Sequence, residues 1–160
     1  MSLRALSRGA LALLGVISLA LAAESRELPE PSPKQVEQRV NQVRVARHLK
    51  PLRSSRELAQ AAQRHADDMA RNGYLSHLNL EGRNPLERAR AAGIEGFRLL
   101  AENIGESNIG GDRIAAVIEA WLASTSHRKN LLNPAFNHTG IGTAETADGR
   151  SLFVQLFATY

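Results

Sequence analysis

No cysteine occurs among the 160 residues, so any fold this chain reaches is held by packing, without a disulfide or a thiolate metal site. The constraint bears hardest on an exported chain, and the N-terminus reads as an export signal. Arg4 and Arg8 form a positive n-region, and residues 10–22 run ALALLGVISLALA without a charge. Ala20-Leu21-Ala22 then supplies the small-x-small pattern of a signal-peptidase site. A membrane-spanning helix needs about 20 apolar residues. This run is shorter and meets Glu24, Arg26 and Glu27 at once. The reading is a cleavable signal peptide over 1–22, hence a periplasmic or secreted protein with no transmembrane segment after cleavage. An uncleaved anchor is the alternative. An oxidising compartment permits disulfides without requiring them.

Cleavage after Ala22 leaves roughly 138 residues, enough for one ordinary domain and too few for two. With 43% apolar residues the chain has the composition of a folded domain. Loss of Arg4 and Arg8 takes the basic count from 20 to about 18 against 16 acidic residues, a net charge near +2. Arg39, Arg44, Arg47, Arg53 and Arg56 form a loose basic cluster with few aromatics among them. We read it as a solvated face, so a nucleic-acid partner is not expected.

Residues 23–33 (AESRELPEPSP) read as a linker, because their three prolines remove backbone donors. The domain is expected over 34–160. A first helix runs from about Pro33 to His48 on the spacing of Val36, Val40 and Val43, and Pro51 stops it. A second opens on a capping box of Ser54 and Glu57 and buries Leu58, Ala61, Ala62, His65, Ala66 and Met69, ending at Gly73. A third starts at Asn84-Pro85 and ends at Gly93. A fourth follows Asp112, with Trp121 at the centre of its buried face. Strands are expected at 97–104, 139–144 and 151–159, the last two joined by a turn at Asp148-Gly149. This pattern is α+β, or a layered α-β-α domain, with strand order open.

Several segments in order resemble one family. They are Asn41-Gln42-Val43-Arg44, His48-Leu49-Lys50-Pro51-Leu52, His65-Ala66-Asp67-Asp68-Met69-Ala70 and Ser76-His77. Pro85-Leu86-Glu87-Arg88, Ala101-Glu102-Asn103-Ile104-Gly105-Glu106 and Trp121 follow. The series closes with Ser126-His127-Arg128, Asn130-Leu131-Leu132, Gly140-Ile141-Gly142 and Phe153-Val154-Gln155-Leu156-Phe157. Over roughly 36–158 the chain resembles the CAP superfamily (cysteine-rich secretory, antigen 5 and pathogenesis-related proteins) in a cysteine-free bacterial form. The resemblance implies an α-β-α sandwich with a central antiparallel sheet between helices. It also implies a cleft lined by two His and two acidic residues, which in some members holds a divalent metal. By position these are His77, Glu102 and His127. The fourth place departs from the pattern: no acid follows Trp121, and Ser124 is the occupant. Glu119 falls on a different helical face, and Glu106 is the remaining stand-in.

Three chemistries are open to these residues. His77, His127 and Glu102 are donor types that suit zinc or another divalent metal. The alternative is two cleft histidines in a hydrogen-bond network with Glu102. Ser124 or Ser126 beside His127, with Glu102, has the residue types of a protease-like hydrolase, but no Gly-x-Ser-x-Gly elbow accompanies them. The resemblance favours a binding module for an unidentified lipid, cell-envelope or protein ligand. Leu78, Leu80 and Leu86 either line a groove beside His77 or anchor its loop to the core.

Overall fold

The computed structural model describes residues 30–160; the expected signal peptide at 1–22 and residues 23–29 of the expected linker lie outside the described residues. Helix α1 (Pro33–Val45) starts where proline is tolerated, behind a capping box in which the Ser32 and Gln35 side chains each reach the other's backbone N–H. It ends three residues earlier than the spacing suggests, at a turn that puts His48 at φ +59°. A two-residue strand, β1 (Arg53–Ser54), follows and was not foreseen. It takes Ser54 out of the cap position, and the Ser54 hydroxyl donates to Glu37 instead. Ser55 caps α2 (Arg56–Asn72), accepting from Leu58 N at 3.3 Å, and Gly73 closes that helix at φ +68°.

Helix α3 (Pro85–Ala91) begins on the Asn84 capping box as expected. Strand β2 (Leu99–Ser107) leads to α4 (Arg113–Ala123), capped by Asp112, and then to a short α5 (Thr125–Leu131) that the periodicity did not reveal. Strands β3 (His138–Glu145) and β4 (Ser151–Thr159) form the closing hairpin, with Gly149 at φ +80° in its turn. The sheet order is β1-β3-β4-β2, antiparallel except for the short parallel pairing of β1 with β3.

Strand alternation divides the core into two layers. Phe153 and Phe157 of β4 join Val36, Val40, Trp121 and Leu131 on one face, under α1, α4 and α5. Leu152, Val154 and Leu156 join Leu58, Ala62, Ala66 and Met69 on the other, under α2 and α3. The architecture is thus the expected α-β-α sandwich. Arg44, read from sequence as part of a solvated basic face, is fully buried. Its guanidinium donates to the carbonyls of Lys50, Leu131, Asn133 and Phe136, tying the end of α1 to the segment after α5.

Candidate functional site

Strand β2 lies at the edge of the sheet, and its alternation sends neighbouring side chains to opposite layers. Glu102 pairs in register with Leu156 and so faces the α2–α3 layer; Asn103 pairs with Gln155 and faces α5. Each becomes the base on which one histidine is mounted. Glu102 Oε1 accepts from Nδ1 of His77 at 2.8 Å. Glu102 Oε2 takes a guanidinium N–H of Arg88, on α3. The same guanidinium donates to the carbonyls of His77 and Arg83, so it holds the loop that carries His77. The carboxylate is 1% exposed, whereas the His77 side chain is 48% exposed. Because a carboxylate oxygen accepts, Nδ1 of His77 is the donor in this bond and Nε2 is turned away from Glu102.

His127 stands on α5. Asn103 Nδ2 donates to its carbonyl at 3.0 Å, and Asn130 Nδ2 reaches Asn103 Oδ1 at 3.0 Å and the Glu102 carbonyl at 3.3 Å. Trp121 Nε1 bonds the Ile104 carbonyl at 2.9 Å, which fixes α4, and with it α5, against β2. The rings of His77 and His127 thereby approach across the strand edge, with centroids 6.4 Å apart and planes tilted by 46°. Partial burial, and then the neighbouring His77, hold the His127 imidazole below its usual range, favouring its neutral, acceptor form.

The other candidates take different places. Ser124 heads α5 without a side-chain cap, and its Oγ lies 3.3 Å from Ser126 Oγ. Among the described residues neither hydroxyl is hydrogen-bonded to an imidazole. Glu106 is held by Arg150 at the hairpin and Glu119 is exposed on α4, so neither supplies a second acid to the cleft. Among the described residues no three His, Asp or Glu side chains converge as a metal-binding group. A catalytic zinc site uses three protein ligands and an open position. Here both Glu102 oxygens are occupied, so the residues offer two imidazole donors with a carboxylate behind one of them. Leu78 and Leu80 are exposed at 51% and 68%, so they do not anchor the His77 loop to the core. Sequence reasoning missed Arg88, Asn103 and Asn130 as the supports of the site. They stood only inside longer motifs, with no spacing signal of their own.

Helices on both faces of a four-stranded sheet, with two imidazoles mounted at one sheet edge, define a small α-β-α sandwich domain. The model of the cysteine-rich secretory protein family matches residues 37–157, and the chain belongs to that family. It is 32% identical over 124 residues to the uncharacterized protein YkwD of Bacillus subtilis, covering 78% of this chain and 46% of that one. The chain therefore spans about half the length of that relative. An outer surface protein of Borrelia burgdorferi superposes with a TM-score of 0.69 at 26% identity, over 79% of this chain and 90% of that one. An extracellular SCP-domain protein of Bacillus anthracis gives 0.67 at 31% identity, over 79% and 40%. The fold is shared at 14% identity, with a TM-score of 0.55, by NaASP2, whose crystal structure was determined with Zn2+, over 83% of this chain and 82% of that one.

Proposed function

We propose that this protein is an exported binding domain that works outside the cytoplasm, with the cleft between His77 and His127 as its ligand site. The observation that carries the reading is the mounting of the two rings. A buried Glu102–Arg88 pair orients His77 and an Asn103–Asn130 pair holds the backbone of His127, so two imidazole rings are brought together across one strand edge. Export is supported by the charge-free run ending at Ala22 and by relatives described as extracellular or outer-surface proteins. No helix among the described residues is long and apolar enough to cross a membrane. The hydrolase reading lacks support, since neither cleft serine is bonded to a histidine.

Toward a divalent metal such as zinc, His77 and His127 are the donors and Glu102 is the carboxylate that fixes the His77 tautomer. Two imidazoles make a weak site, open to a ligand that completes it. Zinc titration by calorimetry on the wild type and on His77→Ala/His127→Ala tests the site. Roughly micromolar binding, abolished in the folded double variant, is expected. Glu102→Gln should keep both donors but weaken binding by about 10–100-fold. Equal binding in wild type and double variant removes the cleft from consideration. Cell fractionation with sequencing of the mature N-terminus tests export independently; an intact Met1 in the cytoplasm would defeat it.

A further inference from the structure

A cavity of about 770 Å³, whose lining does not include His77, Glu102 or His127, lies between α2, the 79–83 loop and α3. Its wall carries four guanidinium groups, those of Arg64 and Arg71 from α2, Arg83 from the loop and Arg88 from α3. It also carries three carboxylates, which keep their charge and are hydrogen-bonded or ion-paired within the protein. Asp67 takes Gln63 Nε2 at 2.8 Å. Asp68 takes Asn72 Nδ2 at 2.8 Å and the Tyr74 hydroxyl. Glu81 meets Arg83 at 3.0 Å, in a pair exposed at 63% and 51% that contributes little and is readily exchanged. Arg88 is committed to Glu102.

Arg64 and Arg71, by contrast, have no acidic partner among the described residues, and both are exposed. Seven residues apart on α2, they sit on one helical face, about two turns or 10 Å from each other. A molecule with linked anionic groups can span that distance and engage both. The loop that closes the cavity is pinned by its own turn: Asn79 Oδ1 accepts from Arg83 N at 2.8 Å and from Glu81 N at 3.2 Å. Arg83 is therefore presented on a preset support. Guanidinium groups pair with oxyanions through two parallel N–H bonds, which favours phosphate and carboxylate over halide-like anions.

We propose that this cavity is a second ligand site, for a small polyanion carrying two or more phosphate or carboxylate groups, held by Arg64 and Arg71 and completed by Arg83. The test is calorimetric titration of the full chain with tripolyphosphate and, separately, with citrate, at near-physiological salt. Saturable binding of at least one is expected, and which one binds separates phosphate from carboxylate recognition. Arg64→Ala/Arg71→Ala should weaken it by more than tenfold with the thermal unfolding curve preserved. Should that variant be unstable, Arg64→Gln/Arg71→Gln removes the charge while keeping more of the side chain. Arg128→Ala/Lys129→Ala removes the same charge from α5 and should leave binding unchanged. No saturable binding of either anion overturns the proposal. So does an equal loss in the α5 variant, which would make the effect one of net charge alone.

Discussion

On the α2 side of the sheet, β3 presents Gly140 and Gly142, and the helix backbone comes down onto them. A Cβ built at Gly140 would lie 2.1 Å from Ala59 N, and one at Gly142 2.4 Å from the Ala62 carbonyl carbon. On the α4 side the same sheet presents Phe153 and Phe157, and the layer is filled by Trp121, Phe136 and Leu131. There a Cβ built at Gly105 would meet Val117 Cγ2 at 2.7 Å and Trp121 Nε1 at 3.1 Å, both side-chain atoms. One layer is therefore set by backbone against backbone and the other by interlocking side chains. The first cannot yield without moving a helix, whereas the second can yield by rotamer adjustment.

The largest effect should come from forcing the backbone layer apart. Gly140→Ala/Gly142→Ala is expected to destabilise the domain by more than about 3 kcal/mol, above the usual range for overpacking. The two sites are neighbours on β3, so their costs need not add. Urea unfolding of both proteins measures it. A loss below about 1 kcal/mol would show that α2 can lift off the sheet freely, and the distinction between the layers would fall. Gly105→Ala is the matching probe on the other side. There a loss near about 1 kcal/mol is expected, the low end of the same range. A loss as large as that of the double variant would mean that the Trp121 layer is no more yielding than the other.

This contrast also explains what could be read in advance. Helices α2, α3 and α4 and the closing hairpin follow from apolar spacing, caps and turn residues, all local signals. Strand β1 is two residues long and exists only because β3 lies beside it, and α5 is a polar seven-residue helix set by Ser124 and its packing on β2. Neither has a period of its own to detect. His77, Glu102 and His127 were picked out through family resemblance, and the fold brings them together at one edge. Their supports were not. Arg44 shows why: by sequence it is one more arginine in a basic run. Its burial depends on four carbonyls, three of which lie more than 80 residues away. Arg88 is hidden for the same reason, since Glu102 reaches it only once β2 is at the sheet edge.

The smallest expected effect concerns protons, and it too divides the layers. The α4 side buries Asn103, Thr139 and Gln155, none of which titrates. The α2 side buries His65, which is 2% exposed. Its Nε2 donates to the Ser76 carbonyl at 2.9 Å, and its Nδ1 has no partner among the described residues. Burial first, and then the charge of Arg88, hold its pKa below the ordinary 6.5, against the opposing pull of Glu102 and Asp68. Well above pH 6.5 the ring is neutral in both folded and unfolded chains, and its contribution is intact. As the pH falls below 6.5 the unfolded chain takes up the proton first, so stability declines until the folded-state pKa is passed, and then levels. One such group changes stability by at most about 1.4 kcal/mol per pH unit. Urea unfolding at about pH 7.5 and about pH 5.5, either side of the ordinary histidine value, should show the wild type losing stability between them. In His65→Gln, less stable at both, that difference should shrink. His127, also shifted down but partly exposed, should matter less, so His127→Gln should leave most of it. An undiminished difference in His65→Gln would assign the pH sensitivity to groups other than His65.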